Sequence, residues 1–230
     1  MEKEIFGLEE NLGVTFKNKD YLTQAVVHRS FLNENTEFRL GHNERLEFLG
    51  DAVLELVVTE HLYKTYPNPE GELTNWRASL VNAKMLAQLS KELNVENYLY
   101  MSRGEEKDVN SKARDYILAN AFEAIVGAIY LDRGYRTCFR FLKKILFPKL
   151  EPILALQLYK DPKSKFQEKA QEHYGVTPNY RVVEEVGPDH DKHFKVGVYL
   201  EKQLCGEGEG SSKKEAQEAA AHDALMRKGW

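Results

Sequence analysis

The sequence predicts an all-α domain followed by a small α+β domain of α-β-β-β-α order. Residues 1 to about 157 carry long apolar-rich stretches at helical spacing, broken by segments that contain proline and glycine. Asp161-Pro162 then starts a helix afresh, with Asp as cap and Pro in the first turn. Beyond Gly175 the period becomes alternating, and Val196, Val198 and Leu200 mark a half-buried strand. These observations divide the chain into a helical domain over 1–157, a linker over 158–160 and the second domain over 161–230.

At 230 residues and 42% hydrophobic content the chain can build real cores without staples. Cys138 and Cys205 are far apart and lack metal-ligand spacing, so they read as reduced thiols of a cytosolic protein. The first ten residues lack a basic start followed by an apolar core, and no run reaches membrane-span length. A cytoplasmic protein without membrane contact is therefore expected. Net charge is −4 and neither domain is basic, so a nucleic-acid partner must be argued from local placement of Lys and Arg.

The first helix expected runs over 20–26, and His28-Arg29-Ser30 closes it. A polar loop from Asn33 to Gly41 leads to a helix over about 44–66, which Asn43 can cap. That helix is apolar almost all round, as buried helices are, yet Glu44, Glu47, Asp51 and Glu55 share one stripe of it. A buried carboxylate is costly unless paired, neutralised or bound to a cation. Either Glu47 pairs with Arg45 or another Arg while Glu44 and Glu55 stay solvated, or Glu47 and Asp51 serve a metal or acid–base role.

Tyr66 to Gly71 holds two prolines and a glycine and breaks the helix; a helical pattern resumes from Glu72 to about Leu93. Ser102 to Ser111 is charged and reads as an exposed loop. From Tyr116 to Leu131 the chain is nearly unbroken apolar sequence, with Asn120 and Glu123, three apart, as its strongly polar members. Each alone could be a satisfied core group. Two apolar helices that each carry a polar island point instead to islands that face each other.

Glu47, Asp51, Asn120 and Glu123 would then offer hard oxygen ligands with no imidazole or thiolate, a set suited to Mg²⁺ or Mn²⁺ and not to zinc. Such a cation activates water and neutralises phosphoryl oxygen, which makes phosphoester hydrolysis the natural reaction. A further helix after Cys138, with Phe141, Leu142 and Ile145, ends near Pro148 and Pro152.

In the second domain a helix runs from Asp161 through Phe166 and Ala170 to about Tyr174, and strands are expected over 179–185, 194–200 and 202–207. Gly187-Pro188 turns between the first two strands; His190 and His193 nearby lack the companions of a metal pair. Ser212 and Glu215 form a capping box for the last helix. Lys213 and Lys214 occupy its first turn, where the helix dipole disfavours cations. They are either solvated lysines or a site for phosphate. Ala216, Ala219, Ala220 and Ala224 form a small-residue face for packing against a sheet.

His42-Asn43-Glu44-Arg45-Leu46-Glu47-Phe48-Leu49-Gly50-Asp51 is similar to the signature of the ribonuclease III family, and residues 161–225 resemble its double-stranded RNA-binding domain, including Gly-Pro-Asp-His and Ser-Lys-Lys-Glu-Ala. The resemblance covers essentially the whole chain. It implies an all-α endonuclease domain that forms a homodimer, joined to a double-stranded RNA-binding domain. It further implies Mg²⁺-dependent hydrolysis of both strands, with Mn²⁺ a substitute, leaving 5′-phosphates and short 3′ overhangs on precursors of ribosomal and messenger RNA.

By motif position Glu47 and Glu123 would be metal ligands, and Asp51 would orient or activate the attacking water. Glu44 and Glu70 match secondary acidic positions. Gln167, Glu168, His190, Lys213 and Lys214 match positions that contact RNA.

One position departs from the family, which commonly has Asp where this chain has Asn120. The amide oxygen can still coordinate Mg²⁺ but removes one negative charge. The alternative to an active endonuclease is therefore a catalytically impaired or inactive double-stranded RNA-binding protein. Hydrolysis of small nucleotides by the helical domain would leave the second domain unexplained.

Overall fold

The computed structural model describes residues 5–107, 111–157, 159, 161–188 and 192–230. The chain divides into two compact units, Met1–Tyr159 and Lys160–Trp230. The first contains α1 (Phe6–Leu12), α2 (Lys19–Ala25), α3 (Arg29–Glu34), α4 (Glu44–Thr65), α5 (Glu70–Leu80), α6 (Ala83–Glu92), α7 (Arg103–Lys107), α8 (Lys112–Arg133), α9 (Tyr135–Ile145) and α10 (Leu150–Ala155).

The centre of this unit is the packing of α4 on α8, both 22 residues long. Glycines make it possible. A Cβ on Gly50 would meet the Glu123 carbonyl oxygen at 1.7 Å, and one on Gly127 would meet the Leu46 carbonyl oxygen at 2.3 Å. The two backbones thus touch where larger residues would hold them apart. From Ile117 to Ile129 every residue of α8 is buried except Asn120 and Glu123. The start of α8 is anchored by buried Arg114, whose Nε and Nη2 donate to Glu96 Oε1 at 3.0 and 2.9 Å.

Helix α4 is less buried than its composition suggests. It turns Leu46, Gly50, Val53, Leu54, Val57, Val58 and Leu62 inward, but Phe48 is 82% exposed and Glu44, Asp51 and Glu55 are exposed too. One face packs on α8 while the opposite face stays uncovered by the described residues, so Glu44, Asp51 and Glu55 largely escape the cost of burial, whereas Glu47 is half-buried.

Local differences have local causes. The Asn43 side chain does not cap α4; buried Asn43 donates from Nδ2 to the Ala25 carbonyl at 3.3 Å and from its backbone N–H to the Val27 carbonyl at 2.9 Å. His28-Arg29-Ser30 opens α3 instead of closing α2. The helix expected over 72–93 is two helices, α5 and α6, because Asn82 Oδ1 accepts from the Met85 N–H at 3.0 Å and caps a new start. Within the loop expected over 102–111, α7 forms a short helix, and residues 108–110 lie outside the described residues.

The second unit contains α11 (Pro162–Tyr174), β1 (Asn179–Val186), β2 (His193–Leu200), β3 (Gln203–Gly210) and α12 (Lys213–Lys228). Its strands form one antiparallel sheet in the order β1-β2-β3. Asp161 caps α11 by accepting from the Ser164 N–H at 3.0 Å. Phe166 and Ala170 pack with Val196, Val198 and Leu200 and with Ala216, Ala220 and Ala224. A Cβ on Gly206 would lie 2.5 Å from the Ala224 nitrogen and one on Gly208 would lie 2.1 Å from the Ala220 nitrogen, so α12 rests directly on the β3 backbone. These glycines carry β3 to Gly210, beyond its expected end.

Candidate active site and RNA-binding residues

The α4–α8 contact brings the two polar islands together. Glu47 and Asn120 both line an open cleft of about 670 Å³, with Glu44 at its α4 end and His28, Arg29 and Asn33 of the α3 segment as a further wall. Asp51 and Glu123 are not among the residues that line this cleft, but the charges of Asp51 and Glu47 act on the Glu123 carboxyl. The Glu123 carboxyl is pushed up to about 7, first by burial and then by Asp51 and Glu47. Glu47 is raised above the usual carboxylate range by burial, Glu44 and Asp51.

The alternative in which an arginine neutralises Glu47 has no support in these shifts, whose causes are burial and neighbouring acids. The arginine goes to Glu44 instead: Arg29 Nη1 lies 3.7 Å from Glu44 Oε1, and His42 Nδ1 lies 3.7 Å from Oε2. Half-exposed Glu44 is therefore partly compensated at the rim.

Mutual repulsion among partly buried carboxylates is relieved by a cation, and the donor set is all oxygen. Among the described residues, no three His, Cys, Asp or Glu side chains already stand as a formed metal cage. Glu70 is not part of this neighbourhood. It opens α5, accepts from Thr74 Oγ1 at 3.0 Å and lines a separate cavity with Thr59, Tyr66 and Arg77.

In the second unit Gln167 and Glu168 share a shallow depression on α11 with Ser164 and Gln171. Lys214 is 84% exposed, with its Nζ 3.8 Å from Glu218. Lys213 is less free than its place in the sequence suggests: its Nζ lies 3.9 Å from Glu185 and 5.6 Å from the centre of the Phe194 ring. The cap beneath them is offset by one residue. Ser212 Oγ accepts from the Glu215 N–H at 3.2 Å, while Glu215 Oε2 accepts from the Ser211 N–H and hydroxyl at 2.9 and 2.6 Å. His190 lies outside the described residues.

Sequence reasoning missed the α3 wall. His28-Arg29-Ser30 is a compact polar triplet, which is a signal, but no spacing links it to α4 or α8.

A helical unit that pools carboxylates beside an open cleft, followed by an α-β-β-β-α unit with lysines at its last helix, defines a two-module class of protein that binds and cuts nucleic acid. Residues 18–150 match the family model described as Ribonuclease-III-like, and residues 162–227 match the double-stranded RNA binding motif. Ribonuclease 3 of Protochlamydia amoebophila is 45% identical over 96% of this chain and 90% of its own length. Ribonuclease 3 of Oceanobacillus iheyensis is 43% identical over 96% and 97%. A solved nuclease domain of Campylobacter jejuni ribonuclease III is 39% identical with a TM-score of 0.56, covering 63% of this chain and 99% of that one. The chain belongs to the ribonuclease III family, and it is an endoribonuclease with a double-stranded RNA-binding domain. Among the described residues no helix is long and apolar enough to cross a membrane.

Proposed function

We propose that this protein cuts both strands of duplex RNA with a divalent cation, Mg²⁺ by preference and Mn²⁺ as a substitute. The observation that carries this reading is geometric: the close α4–α8 packing sets Glu47 and Asn120 on one open cleft, and the Glu123 carboxyl is raised by burial and by Asp51 and Glu47. Glu47, Asp51, Asn120 and Glu123 would hold the metal. When bound there, Mg²⁺ would make a water more acidic and offset charge on the phosphoryl oxygens.

Glu47 and Glu123 would serve as ligands, and Asp51, an exposed residue, would orient the attacking water. The water oxygen bonds to phosphorus and the bond to the 3′ oxygen breaks. The phosphate therefore stays on the 5′ end of one fragment and a 3′ hydroxyl on the other. Glu44 and Glu70 play secondary parts, Glu44 at the rim and Glu70 along α5. The Asn120 amide oxygen takes the place of a carboxylate; three acids remain, and the enzyme stays active with a higher metal requirement. The competing reading, an impaired protein that only binds RNA, rests on the lost charge at this one position.

Residues 161–230 form the module that grips duplex RNA by shape, joined through 158–160 to the nuclease module over 1–157. Gln167 and Glu168 face the groove; Lys213 and Lys214, with His190, meet phosphates. Homodimer formation supplies one site per strand. Phe48 supports it: a ring 82% exposed, with Leu131 48% exposed beside the same cavity of about 600 Å³, is apolar surface that a second copy can cover. The Campylobacter jejuni domain is described as having structural flexibility in a region involved in dimer formation. Precursors of ribosomal and messenger RNA in the cytoplasm are the expected substrates.

The test is digestion of a long, internally labelled duplex by the full chain. Short duplex fragments with 5′-phosphates and 3′ overhangs, lost on chelation, are expected; an intact duplex or 5′-hydroxyl ends would overturn the reading.

A further inference from the structure

The α3 wall of the cleft carries a histidine whose Nδ1 is engaged at the start of its own helix. The His28 backbone N–H donates to the Tyr100 carbonyl at 2.9 Å, and Val27 bridges Tyr100, so the start of α3 is held in place. The Ser102 N–H donates to Ser30 Oγ at 3.0 Å. The Ser30 hydroxyl, 2.8 Å from His28 Nδ1, is then free to donate its own proton to that nitrogen. The Ser30 backbone N–H points at the same Nδ1 from 3.4 Å.

Both donors need the Nδ1 lone pair, which leaves the ring proton on Nε2. Burial, the largest influence, holds the ring pKa below the usual histidine range, with Glu105 and Glu44 acting against it and Arg29 and Arg114 with it. The imidazole is therefore neutral near pH 7. Its Nδ1 edge is occupied, and the Nε2–H edge is what remains for the cleft that His28 lines together with Glu47 and Asn120.

We propose that His28 contacts the substrate: its Nε2–H donates a hydrogen bond to a non-bridging phosphate oxygen of the RNA strand lying in the cleft. A neutral Nε2–H can donate but cannot accept, so it selects an acceptor. The charged phosphate oxygens are the strongest acceptors on an RNA backbone. A donor on the α3 wall also holds the strand from a different side of the cleft than the acids of α4 and α8. This inference rests on the cleavage function proposed above and adds to it a residue that fixes the strand.

Two substitutions separate this role from helix capping. His28→Asn keeps an oxygen near the Nδ1 position, where Asn is a favoured cap, and removes the Nε2 donor. His28→Gln places an amide N–H near Nε2 and gives up the cap. With full-length protein, duplex RNA and Mg²⁺, His28→Asn is expected to lower kcat/KM by about tenfold or more with an unchanged urea midpoint, and His28→Gln to recover most of that loss. A methylphosphonate at the contacted linkage should slow the wild-type enzyme and leave His28→Asn little further affected. His28→Asn cutting as fast as wild type, or His28→Gln failing while His28→Asn holds, would overturn the proposal. A wild-type chain that leaves the duplex uncut would overturn the cleavage reading, and this one with it.

Discussion

Gly50 of α4 lies so close to Glu123 of α8 that a methyl group on Gly50 would sit 1.7 Å from the Glu123 carbonyl oxygen. The contact sets the depth at which the two helices meet, immediately beside Asp51 and at the residue that carries the most perturbed carboxyl of the site. Packing and chemistry therefore share one point of the fold. Gly50→Ala should push the helices apart, destabilise the nuclease unit by about 1–3 kcal/mol or more and lower cleavage along with it. Urea unfolding measures this; an unchanged midpoint would mean that the helices can slide at no cost.

The raised Glu123 carboxyl gives a pH dependence whose sign is fixed. Its ordinary value is 4.5 and its folded value about 7. Between these the unfolded chain has lost the proton that the folded chain keeps. In chelator, stability should therefore fall as pH rises from about 4.5 to 7, by at most about 1.4 kcal/mol per pH unit from this group. The fall should be smaller in Glu123→Gln. Comparing urea midpoints of the two proteins across that range checks it, and identical slopes would contradict it.

Lys213 and Lys214 begin a helix whose cap does not depend on them, because Ser212 and Glu215 supply it. Replacing either with Ala should leave the domain folded and weaken duplex RNA binding, with the salt slope reduced by roughly 1 for each phosphate that a lysine no longer reaches. The effect of Lys213→Ala should be accompanied by weaker packing over Phe194. Filter binding across a salt series measures the affinity and the slope, urea unfolding measures the packing, and an unchanged slope in the double variant would remove these lysines from the RNA interface.

Phe48 stays 82% exposed on the uncovered face of α4. If a second copy covers it, Phe48→Asp should convert the dimer to monomer without lowering the stability of the monomer fold. Burial of such a ring is worth about 1.5–3 kcal/mol, twice over in a symmetric pair. Even Phe48→Ala should therefore raise the dissociation constant by roughly 100-fold or more. Sedimentation velocity reads this directly, and an unaltered dimer would place the interface elsewhere.

Much of the fold and several residues of the candidate site are legible in the sequence, for identifiable reasons. Asn120 and Glu123 stand out because every neighbour from Ile117 to Ile129 is buried, so burial and polarity conflict only where the site opens. The acids of α4 are legible by the same contrast, although their exposure is not, since the uncovered face of a helix depends on what fails to pack there. The division into α5 and α6 turns on one capping side chain, Asn82, with no proline or glycine to mark it. The end of β3 hides in Gly206, Gly208 and Gly210, residues of low strand propensity that the close approach of α12 requires. The α3 wall is invisible because tertiary packing alone brings His28 to the cleft.

Everything proposed for the cleft depends on a metal-dependent site that survives with Asn120 in place of a carboxylate. The most direct measurement is the rate of duplex RNA cleavage by the native chain and by Asn120→Asp across a Mg²⁺ titration. Both should cut, and with one charged ligand fewer the native chain should need about tenfold or more Mg²⁺ to reach half-maximal rate. A native chain that leaves the duplex intact at every Mg²⁺ concentration, while Asn120→Asp cuts it, would contradict this and leave a protein that binds RNA without cleaving it.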